Sequence, residues 1–304
     1  MKKALAIDVG GTKLVYAIID ENGKIISEVE RTSTPKDIKA LEKTFKEIIK
    51  KHENEVDIIA FATAGAVNLE NTSVDSSTFN MPEGYNKLDF KALSKKPVYV
   101  ENDANAAAWA EYKVGAAIGD NNTIIITLGT GVGGGFIVDG RLLRGKSGRA
   151  GEVGSMKINN RGRVCTCHRQ NCFEAYASGT GLKKTAQELA ETDESFKTSI
   201  YSDKNPSEVT TYDIIAGLKQ KDEYCKKVFD IWKDDLAVGL INITNIFDTE
   251  SIVISGGMGE FIDTDELENK VNSEIVVSPV KIKLAKAGNY SGMIGAAILA
   301  LEKV

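Results

Sequence analysis

The chain carries one local pattern twice, and that repeat restricts the fold more than any other feature. Residues 3–26, K-A-L-A-I-D-V-G-G-T-K-L-V-Y-A-I-I-D-E-N-G-K-I-I, read as a strand, a glycine turn, a second strand, a D-E-N-G turn and a third strand. Residues 122–143, N-T-I-I-I-T-L-G-T-G-V-G-G-G-F-I-V-D-G-R-L-L, run through the same series. Two copies in 304 residues predict two related domains, each offering a phosphate-holding turn to a shared cleft. Adjacent glycines turn the backbone tightly and point N–H groups outward, where they can hold an anion. A plain hairpin needs only the Gly10-Gly11 pair, whereas Thr12 and Lys13 add a hydroxyl donor and a cation. Asp8 at the strand end suits a metal ion held through water.

A second stretch concentrates chemistry. Residues 98–109, V-Y-V-E-N-D-A-N-A-A-A-W, predict a short buried strand and a tightly packed helix starting behind Asp103. Asn102 and Asp103 then leave the sheet edge together, and Asp103 takes the N-cap position, so an ordinary capping role and a chemical role both fit it. Only two histidines occur, and His52 reads as a solvated residue on the polar side of a helix over about 36–52, whose apolar face is Ile38, Leu41, Phe45, Ile48 and Ile49. A general base is therefore a carboxylate, which favours Asp103.

Between these stretches, residues 56–63 predict a buried strand followed by the loop A-G-A-V-N. Residues 69–88 predict a long surface loop, either a cover for a ligand or an inert excursion. Two apparent nucleotide motifs fail their context. G-R-L-L-R-G-K-S at 140–147 lies in a hairpin with no helix behind it, and Gly129, Gly131 and Gly134 lead into a strand rather than a helix. Further on, helices are predicted over 175–189 and 212–245 with breaks, strands over 251–255 and 282–285, and a small-residue helix over 292–301.

A net charge of −5 without a long Lys/Arg cluster argues against a nucleic-acid surface. The start M-K-K-A-L-A-I-D is no signal peptide, and M-I-G-A-A-I-L-A-L is too short to span a bilayer, so no membrane association and a cytoplasmic location are expected. The sequon at Asn121 then carries no glycosylation meaning. Three of the four cysteines lie in C-T-C-H-R-Q-N-C at 165–172, a spacing that suits a metal cluster in a reducing compartment better than disulfides.

Six motifs in order carry a resemblance over nearly the whole chain: D-V-G-G-T-K at 8–13, E-N-D-A-N-A-A-A-W-A-E at 101–111, L-G-T-G-V-G-G-G at 128–135, A-G-E-V-G at 150–154, C-x-C-x-x-x-x-C-x-E at 165–174 and S-G-G-M-G-E at 255–260. Together they resemble the ROK family of sugar kinases and related repressors. The resemblance implies the actin and hexokinase-like ATPase fold, an α/β architecture of duplicated ribonuclease H-like domains closing over a sugar and ATP. Residues 1–116 with 292–304 would form the smaller domain and 117–291 the larger. It also implies that Asp103 is the general base for a sugar hydroxyl, commonly that on C6. Asn102, Glu152 and Glu174 would contact sugar hydroxyls, and Gly65 and Asn80 would fall in regions that line the sugar pocket. Gly10, Gly11, Thr12, Lys13, Thr130 and Gly131 would hold phosphates, Gly256 and Gly257 the adenosine side, and Asp8 the Mg²⁺ environment.

The chain departs from the family pattern G-E-[IV]-G-H at Ser155, which stands where the family has a zinc-binding, sugar-neighbouring histidine. Serine is not a normal zinc ligand. Three outcomes stay open: Cys165, Cys167 and Cys172 bind structural zinc with His168 or another group as fourth ligand, zinc keeps water in the open position, or the cysteines are free thiols. The expected activity is ATP- and Mg²⁺-dependent phosphorylation of a hexose, glucose first, by a homodimer or homotetramer. An N-acetylmannosamine or other amino-sugar kinase is the nearest alternative, and a sugar-responsive transcriptional regulator or a catalytically silent sugar-binding protein the more distant ones.

Overall fold

The computed structural model describes residues 1–76 and 81–304. In chain order the strands and helices are β1 (Lys3–Val9), β2 (Lys13–Asp20), β3 (Glu30–Ser33), α1 (Ile38–His52), β4 (Ile58–Thr63), β5 (Ala66–Val67), β6 (Val74–Ser76), β7 (Val98–Asn102) and α2 (Asp103–Val114). They continue with β8 (Thr123–Leu128), β9 (Val132–Val138), β10 (Arg141–Leu142), α3 (Phe173–Ala177), α4 (Gly179–Thr192), α5 (Thr211–Lys219), α6 (Glu223–Phe247), β11 (Ser251–Ser255), α7 (Thr264–Asn272), β12 (Lys281–Leu284) and α8 (Ser291–Leu301). Two five-stranded sheets have the orders β3-β2-β1-β4-β7 and β10-β9-β8-β11-β12. In each, three consecutive strands lie in reverse order and two later strands extend the other edge. The repeat seen in the sequence is thus a repeat of topology.

The chain forms two compact units, one of Met1–Ile125, Gly135–Gly151 and Ala285–Val304, the other of Ile126–Gly134 and Glu152–Leu284. In the first, β1 pairs antiparallel with β2 and parallel with β4, and β4 pairs parallel with β7. Strand β4 is buried at every position, as a central strand covered on both faces must be. One face is covered by α1, through Leu41, Phe45, Ile48 and Ile49, with Asp37 capping it by accepting from the Ala40 N–H at 2.9 Å. Phe45, Phe61, Phe90 and Tyr85 meet there largely edge to face. The other face packs on α2 and α8. Their run of alanines follows from the spacing: a Cβ on Gly295 would intrude into the Ala106 carbonyl, and one on Gly135 would lie 2.8 Å from the Ala104 carbonyl.

Three expectations are corrected in this unit. The third strand is not at 24–26 but at Glu30–Ser33; Ile25 makes one isolated bridge, after which the Ser27 hydroxyl takes the Ile18 N–H and breaks the ladder. The stretch after residue 68 is no loose surface loop in its described part, since Met81, Tyr85 and Leu88 are buried in the core. Finally, the His52 side chain is only 12% exposed, tucked edge-on to Tyr16 with its Nε2 3.3 Å from Glu30. The helical wheel places it on the polar side, but β2 and β3 supply neighbours there.

In the second unit α3 to α6 form the predicted helices, with breaks at Ser178 and at residues 220–222. Trp232 on α6 donates its indole N–H to the Ser178 carbonyl at 3.1 Å, and Gly239 lets α6 close onto the Phe173 ring. Among the described residues no helix is long and apolar enough to cross a membrane.

Candidate active site

The register of the first sheet sets Val9 beside Thr63 and Thr63 beside Asn102. The carboxyl ends of β1, β4 and β7 therefore finish flush, the edge at which open α/β sheets bind ligands. Asp8, the turn Gly10 to Lys13, Gly65, Asn102 and Asp103 all fall on it. The N-cap of α2 is Asn102, not Asp103 as expected: its Oδ1 accepts from the N–H groups of Ala104 and Asn105 at 3.0 and 3.1 Å, and its Nδ2 donates to the Gly65 carbonyl at 3.0 Å. Asp103 is instead the first helical residue, its Oδ1 accepting from the Ala104 N–H at 2.9 Å.

Asp103 keeps an exposed surface while protein surrounds it at longer range. That burial raises its pKa above the usual carboxylate range, against hydrogen bonds from its own and the Ala104 N–H and from Asn102. Asp8 is pushed up to about 6, first by burial, then by the negative charge of Asp103, with Lys13 opposing. A Cβ on Gly292 would stand 3.9 Å from the Asp103 carbonyl and 4.0 Å from Asp8 Oδ2, so α8 begins with no side chain beside the two acids. An aspartate whose proton affinity is raised by a second carboxylate suits a hard divalent cation bound among oxygens, which removes the repulsion.

The turn after β1 is braced from behind. The Thr34 hydroxyl donates to the Gly10 carbonyl and Lys36 Nζ to the Gly11 carbonyl, both at 2.6 Å, while Gly10 N–H bonds the Lys13 carbonyl at 3.0 Å. Thr12 and Lys13 remain exposed. Thr34 and Lys36 escaped sequence reasoning because nothing in T-S-T-P-K-D marks which carbonyl it will meet.

In the second unit, the turn at 129–131, the start of α4 and the turn at 256–259 form one hydrogen-bonded assembly. Gly179 N–H donates to the Gly129 carbonyl at 2.8 Å, the Thr180 hydroxyl to the Thr130 carbonyl at 2.8 Å, and Met258 N–H to the Leu128 carbonyl at 3.2 Å. Gly256 adopts φ 90° with its α-carbon against Leu128, and Gly257 faces open space. Thr130, Gly131, Gly256 and Gly257 are thereby brought together. Glu174 adjoins them: its Oε2 accepts from Val132 N–H at 3.1 Å, and its Oε1 from the Thr166 hydroxyl at 2.8 Å and the Cys165 thiol at 3.4 Å. Any Cβ on Gly131 would strike that carboxylate. Ser155 is half-buried at the end of a short turn, its N–H on the Glu152 carbonyl at 3.1 Å, and Glu152 is exposed. Asn80 lies outside the described residues.

The ligand sulfurs of Cys165, Cys167 and Cys172 lie within 4.8 Å of one another, with Cys167 and Cys172 3.6 Å apart. Zinc–sulfur bonds of about 2.3 Å in a tetrahedron separate the sulfurs by about 3.8 Å, so the three thiols fit a zinc ion. His168, held at φ 63°, does not join that group. The loop is stiffened by the Tyr176 ring, which lies 4.5 Å from the Arg161 guanidinium and 4.4 Å from that of Arg163.

Known proteins match this chain over its length. The glucokinase of Streptomyces coelicolor is 32% identical over 317 residues, covering 99% of this chain and 98% of its own. An N-acetylmannosamine kinase of Vibrio cholerae is 37% identical over 188 residues, covering 61% of this chain and 65% of its own. The crystal structure of a ROK family glucokinase from Streptomyces griseus in complex with glucose and AMPPNP superposes with a TM-score of 0.81 at 27% identity, covering 99% of both chains. The duplicated sheet topology is that of the actin and hexokinase-like ATPases. The ROK family model itself matches residues 4–303, and with the glycine turns and paired acids in place the chain belongs to the ROK family.

Proposed function

We propose that this sugar kinase transfers the γ-phosphoryl group of ATP to a hexose, at the 6-hydroxyl and with glucose as first choice, using Asp103 as general base. The observation that carries the proposal is the gathering of Asp8, the turn at 10–13 and Asp103 on one sheet edge, with Asn102 and not Asp103 tied up in capping α2. The sugar hydroxyl oxygen bonds to the γ-phosphorus as the bond to the β–γ bridging oxygen breaks, its proton passes to the Asp103 carboxylate, and ADP leaves. A raised pKa makes that carboxylate a better acceptor. Phosphoryl transfer is loose, so placing the hydroxyl matters more than base strength. Gly10 to Lys13, Thr130 and Gly131 hold phosphates, Gly256 and Gly257 the adenosine side, and Asn102, Glu152, Glu174, Gly65 and Asn80 the sugar. Mg²⁺, held through Asp8, supplies neutralisation of the phosphate charge. Cys165, Cys167 and Cys172 fix the loop before Glu174 through zinc.

An amino sugar is the second reading, favoured by the Vibrio cholerae relative and by Ser155 in place of a ring near the sugar. ADP release measured with glucose, mannose, allose, fructose, N-acetylglucosamine and N-acetylmannosamine decides between them. Release with none of the six overturns the hexose assignment.

A further inference from the structure

With Asp103 taken as the base, we propose that Arg144, through the buried carboxylate of Glu101, is a positioning residue for it. Glu101 immediately precedes the pair Asn102-Asp103 and is 1% exposed. Its two oxygens accept four hydrogen bonds and pair with one guanidinium. Oε1 takes the Asn102 N–H at 3.1 Å and Asn105 Nδ2 at 3.2 Å, both on the first turn of α2 or its cap. Oε2 takes the Tyr99 hydroxyl at 3.0 Å and Asn71 Nδ2 at 3.2 Å, and forms an ion pair with Arg144 Nη2 at 2.5 Å. Arg144 also donates from Nη1 to Asn71 Oδ1 at 2.8 Å and from Nη2 to the Tyr99 hydroxyl at 2.5 Å.

The network reaches three segments of one unit. Asn71, at φ 56°, holds the loop after β5 against β7, its carbonyl accepting from Val100 N–H at 2.8 Å. Arg144 closes its own loop by accepting the Ala150 N–H at 3.1 Å, two residues before Glu152, and Gly148 in that loop sits against the Val67 carbonyl. Glu101 anchors the cap of α2, on which Asp103 is the first residue. One guanidinium thus ties the strand end bearing the base to the segment leading to a sugar-contact residue. A buried ion pair adds little net stability over apolar residues of the same volume. What it does supply is a fixed geometry, and only a planar fork reaches Asn71, Tyr99 and Glu101 together.

The test uses the full chain with Arg144→Lys, Arg144→Met and the double variant Glu101→Gln/Arg144→Met, beside Asp103→Asn, each assayed with ATP and the best sugar of the panel above. The expected result is a fall in kcat of at least tenfold in all three Arg144 variants, with the KM for ATP within twofold of wild type and cooperative melting retained. The double variant leaves no buried charge unpaired, so it tests the role even where Arg144→Met is too unstable to assay. Wild-type kcat in Arg144→Lys and in the double variant, alongside a loss of a hundredfold or more in Asp103→Asn, makes the network mere scaffold and overturns the proposal. Wild-type turnover in Asp103→Asn overturns the base assignment itself, and the positioning role with it.

Discussion

Burial, and after it the charge of Asp103, push the Asp8 carboxyl up to about 6, so the acid that follows β7 opposes ionisation of the one near the end of β1, with β4 between the two strands. Without a cation, between about pH 4 and 6, the folded chain holds a proton on Asp8 that the unfolded chain, with a value near 3.8, has largely lost. Stability from this group is complete below about pH 4 and lost as pH rises through about 6, at about 1.4 kcal/mol per unit. Asp8→Asn should therefore raise the metal-free melting temperature relative to wild type at pH 8, by an amount worth about 1 to 3 kcal/mol, and leave it unchanged at pH 4. Equal melting differences at both pH values count against the repulsion.

Replacing Asp103 with asparagine keeps its shape and its place on α2 but removes the carboxylate proposed as proton acceptor. Turnover should fall by roughly two to four orders of magnitude, with the KM for sugar changed little. Steady-state rates of ADP formation decide this.

Acid should silence the wild-type enzyme earlier than an ordinary aspartate implies. Asp103, the proposed base, must be ionised to act, and burial lifts its pKa, so the acidic limb of the kcat profile should lie above the usual aspartate range and activity should decline as pH falls through it. A limb at or below pH 4 removes the raised pKa from the mechanism.

Metal analysis of protein purified without chelator should find one zinc per chain, and Cys172→Ser should lose it while leaving the first unit's strands and helices intact. Absence of zinc from the wild-type chain leaves Cys165, Cys167 and Cys172 as free thiols and sinks the metal assignment.

Much of this was legible before any coordinate. Strand β11 and helix α8 fall within a residue of their predicted bounds, because apolar runs closed by glycine or serine define both. What escaped shares one cause: it depends on partners far along the chain. The helical wheel cannot show that Glu30 and Tyr16 close over His52, nor that Tyr85 reaches Thr63 at 2.7 Å and draws an irregular stretch into the core. At the corner the difference was a single position, Asn102 capping where Asp103 was expected, because both side chains cap equally well and the register of β7 decides. Glu101 went unnoticed for the same reason, since its donors Asn71 and Arg144 lie 30 and 43 residues away.

The bare crossing of α8 over α2 has a further consequence. Gly295 rests on the Ala106 carbonyl with no room for a methyl group, so Gly295→Ala should cost about 1 to 3 kcal/mol in chemical denaturation. The helix that begins at Asp103 is therefore clamped along its back like a blade in a vice. Substitutions elsewhere in this unit can then accumulate without shifting the strand-to-helix corner that carries Asp103, because the clamp behind α2 fixes it.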